Sequence, residues 1–310
     1  MKNVLYDIGR TLASYFLCYK LRNKLTNPVI LLYHDVNVNS PDPSTPSPKR
    51  FRKQLKVLKL LGYENISLSE LIDKLAAGVE LSNDGKYFVL TFDDGRKGVY
   101  QHAYPIMKRY RLTGTIFIVP NFIGKPASPP GERRVKKKRK RKTDTKVTVY
   151  MNIKEISELL KNGWEIGAHT NNHVDLTKIG EKQAESEIVS CRDKLEAMFG
   201  KEVLDFAYPF GSYNEKVIKI VKKYFRSGLT TNAGFVSNKT SMYELPRIYV
   251  NRSQYELLVS LGQAAIQELD ASFVDEFLRI LVSGEAAKRK FLLVIKAVLR
   301  RMIWLQRRTQ

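Results

Sequence analysis

Between residues 28 and 250, short apolar runs alternate with stretches whose apolar positions recur at helical spacing. The runs Val29–Val36, Tyr87–Phe92, Thr115–Val119, Trp164–Ala168, Val203–Tyr208, Gly228–Thr231 and Leu245–Val250 are predicted strands. Pro48–Leu61, with Phe51, Leu55, Leu58 and Leu61 on one face, is a predicted helix, as are Ile153–Leu160 and Ile179–Phe199. Gly62, Gly163 and Gly200 follow these three helices where a left-handed cap residue would sit. Strands alternating with helices imply parallel pairing, in an open α/β sheet or a barrel.

Two stretches break the alternation. Residues 125–146 begin with Pro, Gly and Ser, then run RRVKKKRKRK from Arg133 to Lys142, nine basic residues in ten. Self-repulsion predicts a disordered loop inserted within the domain, with solvation or anion attraction as its simplest role. Residues 254–310 are helical in pattern. Ala286–Arg308 holds eight basic residues and no acidic one, interleaved with Phe291, Leu292, Ile295, Leu299 and Trp304. That pattern suits a helix lying in an anionic membrane interface and equally one docked on the domain. At the other end Thr11–Tyr19 is apolar, but Asp7 and Arg10 precede it and no small-residue cleavage site follows. Residues 1–27 therefore read as an amphipathic helix, 28–253 as one α/β domain and 254–310 as a basic helical tail. The expected location is cytoplasmic, peripheral at the inner membrane, the alternative being export with an uncleaved signal.

Composition narrows the partners. The 310 residues carry 53 Lys and Arg against 31 Asp and Glu, a formal charge of +22, which favours anionic surfaces or ligands. Two cysteines, Cys18 and Cys191, build neither a disulfide framework nor a CxxC metal pair. The basic run lacks the interleaved aromatics of a nucleic-acid reader, so no specific nucleic acid is expected.

The chemistry gathers where strands end. Thr91-Phe92-Asp93-Asp94-Gly95 closes an apolar strand with adjacent carboxylates, which repel unless a cation or hydrogen bonds hold them. His169-Thr170-Asn171-Asn172-His173 follows another strand; at that spacing two imidazoles meet on one side of a helical turn. Two imidazoles plus a carboxylate, with one position open, form a known catalytic metal arrangement. Ala207-Tyr208-Pro209-Phe210-Gly211 ends a third strand, in a turn that could leave the Phe210 N–H free to stabilise an oxyanion. His34 ends the first strand. Each cluster alone is an ordinary turn. Their convergence on one sheet edge is not, because that edge is where parallel α/β proteins assemble sites.

TFDDG, HxxxH and YPFG, in that order and at this spacing, resemble the polysaccharide deacetylase family (carbohydrate esterase family 4) over about residues 28–250. The YHDV strand and the YPFG form look like its poly-N-acetylglucosamine deacetylase branch. The resemblance implies a distorted (β/α) barrel of about seven strands, here with a C-terminal helical extension, and one divalent metal, often zinc. Carried over, Asp94, His169 and His173 would be the metal ligands, Asp93 the catalytic base, and the Phe210 N–H the oxyanion donor. The expected reaction is hydrolysis of the N-acetyl or similar amide of an amino sugar in a polysaccharide, oligosaccharide or lipid-linked glycan. Many members have an arginine where Ala207 stands and a late Leu-x-His that supplies the acid; both are missing here. His34 is the expected acid instead, and Arg247 the residue expected to orient Asp93. The competing function is an inactive glycan-binding module of the same fold, or, further off, a basic nucleic-acid-associated protein.

Overall fold

Seven apolar runs need an environment that buries both of their faces, and a parallel sheet covered by crossover helices supplies it. The computed structural model describes residues 26–38, 40, 42, 45–125, 150–250 and 261. The amino-terminal helix, the basic insertion and the carboxyl tail therefore fall, almost entirely, outside the described residues.

All seven expected strands are present: β1 (Val29–Tyr33), β3 (Tyr87–Phe92), β4 (Thr115–Ile118), β5 (Glu165–Ala168), β6 (Asp205–Ala207), β7 (Ser227–Leu229) and β8 (Ile248–Tyr249). A two-residue β2 (Glu64–Asn65), not anticipated, pairs with the start of β3. Every pairing is parallel, in the order β7-β6-β5-β4-β3-β1-β8. Leu245 bridges in parallel to Leu229 of β7, and three residues later Ile248 pairs with Leu31 of β1. One short stretch thus touches both edges, and the sheet curls into the irregular barrel that was expected.

Around it run α1 (Pro48–Leu60), α2 (Leu68–Ala76), the short α3 (Leu81–Asp84), a π-helical turn (Val99–Ala103) leading into α4 (Tyr104–Tyr110), α5 (Ile153–Lys161), α6 (Glu181–Phe199) and α7 (Glu215–Tyr224). Side chains on the strands alternate between two cores. Val29, Leu31 and Tyr33 join Phe88, Leu90 and Phe92 and the outer helices, whereas Ile30, Val89 and Phe117 face inward with Leu68, Leu71 and Ile72 of α2. Each fully buried Leu or Phe in these layers contributes about 1.5–3 kcal/mol. Local signals place the helix ends. Ser67 caps α2, Asn152 and Glu155 form a capping box on α5, and Asn214 caps α7. Gly62, Gly163 and Gly200 have φ of 82°, 81° and 60°, the left-handed stops the spacing implied.

The two mouths of the barrel differ. Glu165, first residue of β5, accepts the Leu68 and Ser69 N–H groups at 3.0 and 3.1 Å, so α2 is tied across the amino-terminal mouth. Arg226, just before β7, adds a 2.6 Å bond to the Ser69 hydroxyl and two bonds to Asp205. With that end plugged, the carboxyl ends of the strands form the open mouth. Among the described residues no helix is long and apolar enough to cross a membrane.

Candidate active site

A strand that must aim two consecutive carboxylates into one site has to break its alternation between them. Asp93 still belongs to the ladder, its N–H bonded to Tyr33 O at 2.9 Å. Asp94 then swings to φ 70° and Gly95 to φ 75°, so the chain turns and the second carboxylate stays in the mouth. Thr170, His173 and Phe210 also have φ near 60°, and Arg111 at the end of α4 is the one other non-glycine residue of this kind among those described. Such a conformation costs a residue with a Cβ about 1–2 kcal/mol. Four strained residues in one mouth mark a place where geometry is held against local preference.

Asp93 is 2% exposed and Arg247 is fully buried. They meet as a fork: Nη1 to Oδ1 and Nη2 to Oδ2, both 2.8 Å. The rest of the guanidinium is held by Thr230 O at 2.8 Å and the Thr91 hydroxyl at 3.3 Å. Burial by itself raises the Asp93 carboxyl, but the charge of Arg247, then His169, the Arg247 hydrogen bonds and His34 together hold the acid below its ordinary value. Asp93 is therefore an ionised carboxylate in a fixed orientation. Arg247 sits just before β8, inside the barrel rather than on its rim.

Asp94 has two differently treated oxygens. Oδ2 accepts Nε and Nη2 of Arg96, each at 3.2 Å. Oδ1 is buried and has no hydrogen-bond partner, although His173 Nε2 lies 3.3 Å and His169 Nε2 3.7 Å away. The group's pKa is about 2: burial raises it, and His34, His173, His169 and Arg96 pull it further down. His169 Nδ1 lies 2.7 Å from Ala207 O, and since a carbonyl can only accept, Nδ1 carries a proton, which leaves Nε2 as the atom able to offer a lone pair to a cation. The pKa of His173 is lowered to about 4, chiefly by burial and then by His169, so at neutral pH this ring is uncharged. One potential ligand atom from each of Asp94, His169 and His173 lies within 4.8 Å of the others.

An ionised oxygen and imidazole lone pairs turned toward one another repel unless a cation lies among them. The orphaned Oδ1 and the two-nitrogen, one-oxygen donor set both fit a divalent metal with a position left open. The two histidines do not meet on a helical turn, as their spacing suggested. Residues 169–173 form a loop, and left-handed Thr170 and His173 fold it until the rings are 4.9 Å apart.

Phe210 follows Pro209 at the end of β6, and its N–H has no hydrogen-bond partner among the described residues. Its ring is 62% exposed and stands edge-on to His173 at 4.5 Å. His34, the residue after β1, stands edge-on to Tyr249 at 5.6 Å, close enough to the two carboxylates to act on both electrostatically. His102 lies in the π-helical turn, outside the cluster.

Several supports were not read from the sequence. Arg96 neutralises half of Asp94 and lies over the Tyr150 ring at 4.8 Å; a cation two residues after the acid pair was a usable signal. Glu187 of α6 accepts the Asn172 N–H at 2.9 Å and the Asn172 amide at 2.6 Å. Asn121 donates to Asn172 Oδ1 at 2.6 Å, so the loop between the histidines is gripped from two sides. Nothing local in the sequence announces those partners.

The chain is similar to known proteins in sequence and fold. A family model described as polysaccharide deacetylase matches residues 80–226, a span that includes Asp93, Asp94, His169, His173 and Phe210 but neither His34 nor Arg247. YxkH of Bacillus subtilis (strain 168) is 28% identical over 72% of this chain and 71% of its own length. The poly-β-1,6-N-acetyl-D-glucosamine N-deacetylase of Staphylococcus aureus (strain MRSA252) is 26% identical over 69% of this chain and 70% of its own. Among solved structures, the Streptococcus pyogenes deacetylase PplD, in complex with acetate, superimposes with a TM-score of 0.63 at 26% identity, covering 76% of this chain and 98% of that one. Barrel, mouth and kinship agree that residues 80–226 form a polysaccharide deacetylase domain, the domain of hydrolases that cut amide C–N bonds on glycans.

Proposed function

We propose that the protein removes N-acetyl groups from a polymer of the poly-N-acetylglucosamine kind, using one divalent metal, zinc by its donor set, held by Asp94, His169 and His173. The observation that carries this reading is the buried Asp94 Oδ1, without a hydrogen-bond partner, facing two imidazoles, with an ionised carboxylate next to it in the chain. The choice of sugar draws on the name of the Staphylococcus aureus relative.

An amide is a poor electrophile, and a bound metal at this place would polarise its carbonyl and acidify a water. Asp93 takes the proton of the attacking water; its fork with Arg247 keeps it charged and aimed. As the carbonyl carbon becomes tetrahedral, the Phe210 N–H donates to the oxygen that gains negative charge. Its left-handed backbone holds that donor in place beforehand, so no reorganisation is needed when the charge appears. The C–N bond then breaks, acetate leaves with the new oxygen, and the amine needs a proton, which His34 supplies.

The test is acetate and free amine measured together on an N-acetylglucosamine oligomer, for the wild type beside His34→Gln. Equal amounts of both products are expected from the wild type. The variant should lose about two to four orders of magnitude in kcat while retaining metal. A variant with full activity would move the acid elsewhere; no product from a metal-loaded wild type would remove the sugar assignment.

A further inference from the structure

Helix α1 carries an unbalanced charge that the hydrolytic site does not use. Its thirteen residues, PKRFRKQLKVLKL, include Lys49, Arg50, Arg52, Lys53, Lys56 and Lys59, and no acid. All six cations are exposed, and none forms an ion pair with a carboxylate among the described residues. At 3.6 residues per turn, Lys49, Arg52, Lys53, Lys56 and Lys59 fall within about 120° of the circumference. That arc lies opposite the face that buries Phe51, Leu55 and Leu58. Lys49–Lys53, Arg52–Lys56 and Lys56–Lys59 are neighbours at i,i+4 or i,i+3, where like charges destabilise a helix. By contrast α2, α5 and α6 mix acids with bases.

Helix α4 also carries exposed cations. Helix α1 packs on the π-helical turn that leads into α4, and Lys108, Arg109 and Arg111, at the end of α4, are exposed as well. Each helix ends in an exposed apolar residue, Leu60 (76% exposed) on α1 and Tyr110 (39% exposed) on α4. Both helices run antiparallel to the strands they follow. Their carboxyl ends therefore lie at the plugged, amino-terminal side of the barrel, away from the mouth that would take the glycan.

We propose that the outer face of α1, with the end of α4, is a docking surface for an anionic lipid bilayer. A convex row of cations about 15 Å long complements negatively charged headgroups, and Leu60 and Tyr110 can enter the boundary between headgroups and acyl chains. A soluble polyanion would match the charge but would leave the exposed leucine unused, and a substrate polymer would approach the opposite end. Docked by this face, the barrel keeps its mouth clear of the lipid.

The full chain is sedimented with vesicles of phosphatidylcholine, with and without phosphatidylglycerol. The Lys53→Gln/Lys56→Gln/Lys59→Gln variant is compared with a charge-matched control, Lys216→Gln/Lys219→Gln/Lys222→Gln, on the exposed side of α7. Each surface cation contributes about fivefold to partitioning, so the α1 variant is expected to lose at least about tenfold and the control less than about threefold. Wild-type binding should require phosphatidylglycerol and weaken as salt is raised. The α1 variant should melt at the wild-type temperature or above, because it relieves repulsion. Equal losses in the two variants, unchanged binding of the α1 variant, or wild-type binding to sulfated dextran but not to the anionic vesicles would each overturn the proposal.

Discussion

Asp93→Asn is expected to deacetylate an N-acetylglucosamine oligomer with kcat lowered by about two to four orders of magnitude, the range for loss of a general base. The substitution keeps size and shape but removes the negative charge that takes the proton, and turns one of the two oxygens that accept from Arg247 into a donor. Its metal content is expected to stay at the wild-type level, because Asp93 contributes no atom to the Asp94, His169 and His173 cluster. A structural cost accompanies the loss. Arg247 is fully buried, and with Asn in place its charge keeps hydrogen bonds but has no counter-ion, so the melting temperature should fall. Kinetics at a temperature where circular dichroism shows the variant folded separate the two effects. A kcat within a few-fold of wild type would mean that another group takes the proton.

Arg247→Met should have the largest effect on stability. Removing one member of a buried ion pair typically costs about 3–5 kcal/mol, because the other is left charged and desolvated. The wild-type Asp93 carboxyl is held below its ordinary value, so its contribution is present above the unfolded carboxylate range and is lost as pH falls through the folded value. Without Arg247, burial dominates and the carboxyl rises. The variant should therefore be weakest relative to wild type near neutral pH and approach it on acidification, and the acid limb of its pH–activity profile should move up. Urea unfolding at neutral and mildly acidic pH measures the first, and kcat/KM against pH the second. A pH-independent stability difference would show that Arg247 matters for packing rather than for the charge of Asp93.

This pair also shows where reading the sequence works and where it stops. The acids, the two imidazoles, the Phe210 turn and His34 were legible because each ends an apolar run, and chemistry at strand ends is a local pattern. Arg247 was expected to orient Asp93, and the structure pairs the two in a fork across 154 positions, a contact that closure of the barrel makes. Here Ala207 faces inward as a small side chain, and its carbonyl orients His169. The loop from His169 to His173 was misread as a helical turn because spacing carries no information about φ; two left-handed residues and the grip of Glu187 and Asn121 on Asn172 decide its shape. Arg96 was overlooked although it lies two residues beyond Asp94. The two-residue β2 is too short to produce any periodicity.

The most direct test is a titration of the metal-stripped full chain with zinc, following acetate release from an N-acetylglucosamine oligomer against bound metal. Activity absent at the start, rising with metal and levelling off at one ion per chain is the predicted result, with no such rise for Asp94→Ala. Full acetate release from the stripped protein in the presence of a chelator would contradict a metal-dependent site at Asp94, His169 and His173.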